Sequence, residues 1–189
     1  MKLLEEAILK NGRIIDNEII KVDSFINHQV DPVITDAAAT YFIEQFKGVK
    51  IDKVLTLETS GLPIAYAVAQ QLHVKMVFAK KSKSKIVDDN IYSEEVRSFT
   101  RGTVSTVTVS KDYIVKGENI LVVDDFLAKG NAAIGLINII KKGGANCVGV
   151  CALIEKSFQG GSALIEAMGI KAVSAANIIA FKDNQPIFG

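Results

Sequence analysis

The segment ILVVDDFLAKGNAA (residues 120–133) constrains the fold more than any other part of the chain. Four consecutive apolar residues read as a strand covered on both faces. That strand ends in two adjacent acids, Asp124 and Asp125, and a loop leads to a helix opening near Gly130. The helix pattern runs over 130–142, with Ala133, Leu136, Ile137 and Ile140 as one stripe. Lys141 and Lys142 suit its C-terminal dipole, and Gly143-Gly144 stops it. A covered strand passing through a short loop into an amphipathic helix is the unit of α/β folds.

Similar units flank it. KVLTLE (53–58), KMVFA (75–79), NCVGVCALIE (146–155) and IKAVSAA (170–176) read as strands. Helical spacing marks 2–10, 61–73 and 162–168, and a further helix is expected from Thr35 to Phe46, capped by Asp36 and ended by Gly48. Residues 13–34 hold short apolar pieces with no long period. The expectation is an α/β fold with a central, mostly parallel sheet flanked by helices. One stretch breaks the order: residues 80–103 are crowded with charge, followed by VSTVTVS, which alternates like an antiparallel or edge strand. The charged stretch reads as a solvated loop of the kind that closes over ligands.

Composition narrows the class. The chain has 189 residues, enough for one domain of roughly 150 residues with small appendages. Twenty-two Lys and Arg against 21 Asp and Glu leave a net charge of +1, which argues against nucleic acid or an anionic membrane as the main partner. No apolar run approaches the ~20 residues of a membrane span, and the start, MKLLEEAILKNG, lacks the apolar core of a signal peptide. Cys147 and Cys151 are expected on one face of a strand about 13 Å apart, too far for a disulfide, as buried hydrophobes in a reducing compartment. His28 and His73 have no metal-ligand spacing and read as structural or exposed.

The chemistry lies at the end of the 120–125 strand. In parallel sheets ligands bind at the carboxyl edge, where loop N–H groups and a helix N-terminus hold anions. Two carboxylates would repel a phosphate but accept strongly from hydroxyl groups. Together these parts describe a site for a ribose 5-phosphate. On these residues alone, Mg²⁺ held by the two acids or an ordinary strand exit stays open as well. No Walker A motif is present, since Gly130 is followed by Asn131, and no dinucleotide fingerprint is present either.

VVDDFLAKGNAA resembles the phosphoribosyl-pyrophosphate (PRPP) motif of type I phosphoribosyltransferases. TLETSGLPIA (56–65) resembles that family's pyrophosphate loop, and VFAKKSKS (77–84) its basic segment. KVDSFINHQVDP (21–32), SFT (98–100) and ALIEKSFQGG (152–161) are similar to the xanthine-specific, purine-salvage branch. The resemblance covers essentially the whole chain. It implies a single type I phosphoribosyltransferase domain over 1–189, with a small hood from about 1–34 plus 156–189 and a flexible lid over about 80–109.

It also implies roles. Asp124 and Asp125 would hold the ribose hydroxyls, and Ala128, Lys129, Gly130, Asn131 and Ala132 would wrap the 5-phosphate. Many members carry threonines where Ala128, Lys129 and Ala132 stand, so this loop would rely on backbone N–H groups. Glu58, Thr59, Ser60 and Gly61 would form the pyrophosphate loop, in which the family often has a cis peptide. Lys81, flanked by Lys80 and Lys83, would face the pyrophosphate. Ile20, Asn27, Lys156 and Phe158 would make the base site, with Lys156 favouring the readily ionised xanthine and Phe158 stacking on the purine. Taken singly, these read as a surface lysine, a core phenylalanine and a turn asparagine. Mg²⁺ would be bound through PRPP, with no direct protein ligand assigned. The partners implied are xanthine, PRPP and a second copy of the chain, in the cytoplasm, without nucleic acid or membrane. Rival readings are an enzyme for guanine, hypoxanthine or another base, a PRPP-binding structural subunit, and a PRPP-sensing repressor, for whose additional DNA-binding domain the N-terminal segment leaves no room.

Overall fold

The computed structural model describes residues 1–82, 89–97 and 104–189. Lys83, SFT (98–100) and much of the expected lid lie outside the described residues. The chain opens with helix α1 (Lys2–Asn11), which buries Leu4 and Ile8. Strands β1 (Arg13–Ile15) and β2 (Ile19–Lys21) form a hairpin. A wide helical turn, Asp23–Asn27, follows, in which the His28 N–H donates to the Asp23 carbonyl at 3.2 Å. The hairpin is a departure from the patternless reading of 13–34. Its signal is Asp16-Asn17, both at positive φ (54° and 51°), where short polar side chains tolerate the left-handed region.

Helix α2 (Pro32–Gln45) starts earlier than expected, capped by Asp31 instead of Asp36. The Asp31 Oδ1 accepts from Val33 N at 2.9 Å and Ile34 N at 3.3 Å, and Pro32 occupies the first helical position, where its missing N–H costs nothing. Then come β3 (Lys53–Leu57), α3 (Leu62–Leu72) and β4 (Lys75–Ser82), followed by β5 (Ile91–Arg97) and β6 (Val104–Ser110). The core unit follows as β7 (Asn119–Leu127), α4 (Asn131–Lys142) and β8 (Asn146–Lys156). The chain ends with α5 (Gly161–Ala167), β9 (Ala172–Lys182) and β10 (Gln185–Phe188).

Eight strands form one sheet in the order β10-β9-β8-β7-β3-β4-β6-β5. The run from β9 to β4 is parallel, and β10, β6 and β5 are antiparallel additions. One core packs α1, α2 and α3 against one sheet face through Leu4, Phe42, Ile64 and Val68. The other packs α4 and α5 on the opposite face through Leu136, Ile137, Ile140 and Ile165. The chain leaves β3 toward β4 on one side and β7 toward β8 on the other. The β3–β7 junction is therefore the topological switch point, where open α/β sheets hold ligands.

Three further expectations are corrected. The charged stretch 80–103 is not simply a loop, because β4 runs on to residue 82 and β5 pairs along its whole length with β6. Val96 is buried against α4, where a Cβ on Gly135 would lie 2.5 Å from its Cγ2, and Lys142 pairs with Glu94 at 2.7 Å. Apolar residues thinly spaced among charges hid this strand. The last strand runs to Lys182 instead of 176, returning as β10 through a turn at Asp183-Asn184, both at positive φ. Finally, Cys147 and Cys151 face opposite cores. A register irregularity pairs Ile120 with Cys147 but Leu121 with Gly149, so one extra residue reverses the alternation. Both cysteines are free, and burial pushes the Cys147 thiol up to about 11 and Cys151 higher still.

Candidate active site

Four segments leave the carboxyl edge of the parallel sheet: 58–61 after β3, the end of β4, 124–132 at and after β7, and 156–161 at and after β8. The first three meet at the switch point. Asp124 and Asp125 are both buried. The Asp125 N–H donates to Asp124 Oδ1 at 2.9 Å, which fixes that carboxylate over the strand end. Burial is the main cause raising the Asp124 pKa well above the carboxylate range. The Asp125 charge raises it further, and the Lys81 ammonium partly offsets both. Lys81 is thus electrically in touch with the acid pair although its side chain is exposed.

The 58–61 loop is tied to both neighbours. Glu58 N donates to the Ala79 carbonyl at 3.1 Å, and Glu58 Oε1 accepts from Lys81 N at 2.7 Å. The Glu58–Thr59 peptide bond is cis. Gly61 is buried, and a Cβ on it would lie 2.6 Å from Asp124 Oδ1 and would also strike Thr56 Oγ1. Only a glycine lets this loop approach the acid so closely. Thr56 was not expected here. Its hydroxyl is buried beside Gly61, with no hydrogen-bond partner among the described residues. Inside a fully covered strand, a threonine carries no signal of its own.

After β7, Ala128, Lys129 and Gly130 turn the chain into α4. Gly130 has φ of 80°, and its carbonyl accepts from Ile134 N at 2.8 Å. Asn131 and Ala132 open the helix, so N–H groups of its first turn face the same edge as the acid pair. Such a turn can hold an anion through backbone N–H groups, with threonine side chains absent from positions 128, 129 and 132.

Of the residues expected at the base, Lys156 and Phe158 lie together at the end of β8. Lys156 Nζ donates to the Glu18 carbonyl at 2.9 Å and lies 5.7 Å from the Phe181 ring centroid. Burial lowers its pKa, and Glu18 works against that shift. Phe158 is half exposed and meets Phe181 edge-on at 5.8 Å. Ile20 is buried in the core shared with Phe25, Ile26 and Ile178. Asn27 is exposed at the end of the wide turn, an element separate from the Lys156–Phe181–Phe158 group. Phe181 was missed because the strand carrying it was read as ending at 176. Among the described residues, no three His, Cys, Asp or Glu side chains converge on one point.

A phosphoribosyl transferase domain model matches residues 26–174. The chain belongs to the phosphoribosyl transferase family. It is 50% identical over 177 residues to the xanthine phosphoribosyltransferase of Clostridioides difficile, covering 93% of each chain. It is 46% identical to the xanthine phosphoribosyltransferase of Laribacter hongkongensis, covering all of both chains. Among solved structures, it is similar to an adenine phosphoribosyltransferase from Trypanosoma brucei in complex with AMP, pyrophosphate and ribose-5-phosphate. That likeness has a TM-score of 0.77 at 16% identity, over 96% of this chain and 83% of the other, and bears on the fold alone.

Proposed function

We propose that the protein transfers the 5-phosphoribosyl group of PRPP to xanthine, giving xanthosine 5'-monophosphate and pyrophosphate. The observation that carries this reading is the meeting of the Gly61 loop with the buried Asp124–Asp125 pair at the switch point, beside the backbone cradle 128–132. The xanthine phosphoribosyltransferases that match 93% or more of the chain support the choice of base.

In this reading the acid pair accepts from the two ribose hydroxyls, while N–H groups of 128–132 donate to the 5-phosphate. Lys81 and the N–H groups of 59–61 draw the pyrophosphate to the opposite side of the sugar. The bond from C1 of the ribose to the pyrophosphate oxygen breaks, and a bond from C1 to a purine nitrogen forms. Positive charge gathers on the sugar ring between them, above the acid pair. Catalysis is then mostly positioning and electrostatic stabilisation, with little proton transfer by side chains. Mg²⁺ would supply charge neutralisation on the pyrophosphate. A site offering two carboxylates beside substrate phosphates suits an ion bound largely through the substrate. Lys156, at the base side, would favour the xanthine anion, with Phe158 stacking and Ile20 and Asn27 lining the pocket.

The same proposal includes a hood made of 1–34 and 156–189, a homodimer and a cytoplasmic setting. The hood is supported by the Lys156–Glu18 bond and by reciprocal bonds between Asn17 and Asn184. Exposed Tyr66 on α3 and Phe78 on β4 offer apolar surface to a second copy. The test is turnover of PRPP and Mg²⁺ with xanthine, guanine, hypoxanthine or adenine, followed by chromatography of the nucleotide. Xanthosine monophosphate should form fastest. Preference for another base would overturn the base assignment, and no turnover despite PRPP binding would overturn the enzyme.

A further inference from the structure

The phosphate cradle does not stand alone, because the start of α5 is seated directly on it. Gly161 N donates to the Ala128 carbonyl at 3.0 Å. A Cβ on Gly161 would strike the Ala128 carbonyl oxygen and lie 2.8 Å from Gly130 N. From the other side, a Cβ on Gly130 would lie 3.2 Å from both the Cα and the carbonyl oxygen of Gly161. Backbone therefore packs on backbone, and no neighbouring side chain could bend away to admit a methyl group. The contact also orients a peptide. In a planar trans peptide the C=O and the following N–H point in opposite directions. With the Ala128 carbonyl turned to α5, the Lys129 N–H is turned away from it. The partner segment is not arbitrary either, since Gly161 lies five residues after Lys156, just past the 3₁₀ turn Ser157–Gln159 that carries Phe158.

We propose that Gly161 is a positioning residue for the sugar-phosphate loop. Its bare Cα lets the base-side turn press onto Ala128–Gly130, setting the direction of the cradle's N–H groups and the distance from base to 5-phosphate. The inference rests on the reading of 128–132 as the 5-phosphate cradle. Gly160 provides the contrast. Unlike Gly161 it has positive φ, at 81°, and a Cβ there would meet nothing within 4 Å. Substitution at 160 strains the chain without pushing the cradle, whereas substitution at 161 pushes it.

The experiment compares Gly161→Ala and Gly160→Ala with the parent protein. Ribose 5-phosphate binding is measured by calorimetry, and KM for PRPP and for xanthine by steady-state assay. For Gly161→Ala, ribose 5-phosphate binding should weaken at least tenfold and KM for PRPP rise similarly, with KM for xanthine changing less than threefold. Gly160→Ala should lower the melting temperature while keeping both sugar-phosphate values within threefold. Parent-like binding in Gly161→Ala, or an equal loss in both variants, would overturn the proposal. Failure of the parent protein to bind ribose 5-phosphate would instead overturn the cradle reading beneath it. If Gly161→Ala does not fold, hydrogen exchange on the parent decides. Ribose 5-phosphate should slow the Gly161 amide together with those of 129–132, and an unchanged Gly161 amide would overturn the proposal.

Discussion

Gly61 and Asp124 meet across the switch point: a Cβ on the glycine would lie 2.6 Å from the carboxylate Oδ1. One residue belongs to the loop after β3, the other to the end of β7. Their contact joins the loop proposed for the pyrophosphate to the acid pair proposed for the sugar. Gly61→Ala must move Asp124, Thr56 or the loop. Overpacking of this kind costs about 1–3 kcal/mol, and a shift near 1 Å at reacting groups can cost ~10²-fold in rate. We expect kcat/KM for PRPP to fall roughly 10²-fold while the folded protein persists in thermal melting. A fully active Gly61→Ala would detach this contact from catalysis.

Asp124 places function against stability. Its folded pKa is raised, chiefly by burial and then by the Asp125 charge. A carboxyl group with a raised folded pKa loses stability as pH rises from its unfolded pKa through the folded one, because the native state holds the proton longer. At neutral pH burying this group is therefore a cost to the ligand-free fold. Asp124→Asn removes that charge and keeps an oxygen for the Asp125 N–H. The variant should melt a few degrees higher near pH 7, where ~1 kcal/mol corresponds to about 2–4 °C, yet lose at least ~10²-fold in turnover. A lower melting temperature would contradict the assigned cause.

The same pair predicts a pH dependence. PRPP binding needs Asp124 ionised, so affinity should rise with pH through a midpoint above the ordinary carboxylate range. In Asp125→Asn the like charge is gone, and the midpoint should move to lower pH. Calorimetric titration of PRPP across pH in both proteins reads this directly. A midpoint that stays or rises would show that Asp125 is not what lifts it.

How much of this was legible beforehand follows from which residues carry periodic signal. The β7–α4 unit was readable because four covered apolar residues, two acids and a four-residue apolar stripe all point one way. The acid pair stood at its boundary and was found with it, whereas the 58–61 loop after β3 was reached only through the family resemblance. The two hairpins rest on single Asp-Asn pairs, and β5 on Ile91, Tyr92 and Val96 scattered among charges, so neither pattern rose above a loop. Thr56 and Phe181 matter through contacts between distant strands, which no local pattern encodes. The irregularity at 147–149 is hidden for the same reason, since only the pairing with β7 reveals the extra residue.

Lys156 should set base preference through its charge. Its Nζ is held by the Glu18 carbonyl at 2.9 Å, and partial burial lowers its pKa. A charge-assisted hydrogen bond is worth about 1.5–3 kcal/mol. Lys156→Ala should raise KM for xanthine roughly 10–100-fold and affect guanine far less. Raising the pH discharges the lysine, so the parent protein's preference for xanthine should decline in alkaline solution before an ordinary lysine would titrate. Equal losses for both bases would mean that Lys156 supports the pocket instead of choosing its ligand.

The hairpin that receives Lys156 is itself clasped. Asn17 N donates to Asn184 Oδ1 at 3.0 Å, and Asn184 N donates to Asn17 Oδ1 at 2.7 Å. The two tight turns, 167 positions apart in the chain, thus hold each other by reciprocal amide bonds. Glu18, whose carbonyl takes the Lys156 ammonium, is the next residue after Asn17. Glycine is the informative substitution, because both asparagines have positive φ and alanine would add backbone strain. The turns are exposed, so water replaces the lost bonds and each single variant should cost only about 0.5–1.5 kcal/mol. The double variant should cost less than the sum, because losing either bond frees the two turns and weakens the bond that remains. If the clasp sets where Glu18 meets Lys156, KM for xanthine should rise several-fold in both single variants while KM for PRPP stays level. A melting change without that split would confine the clasp to stability.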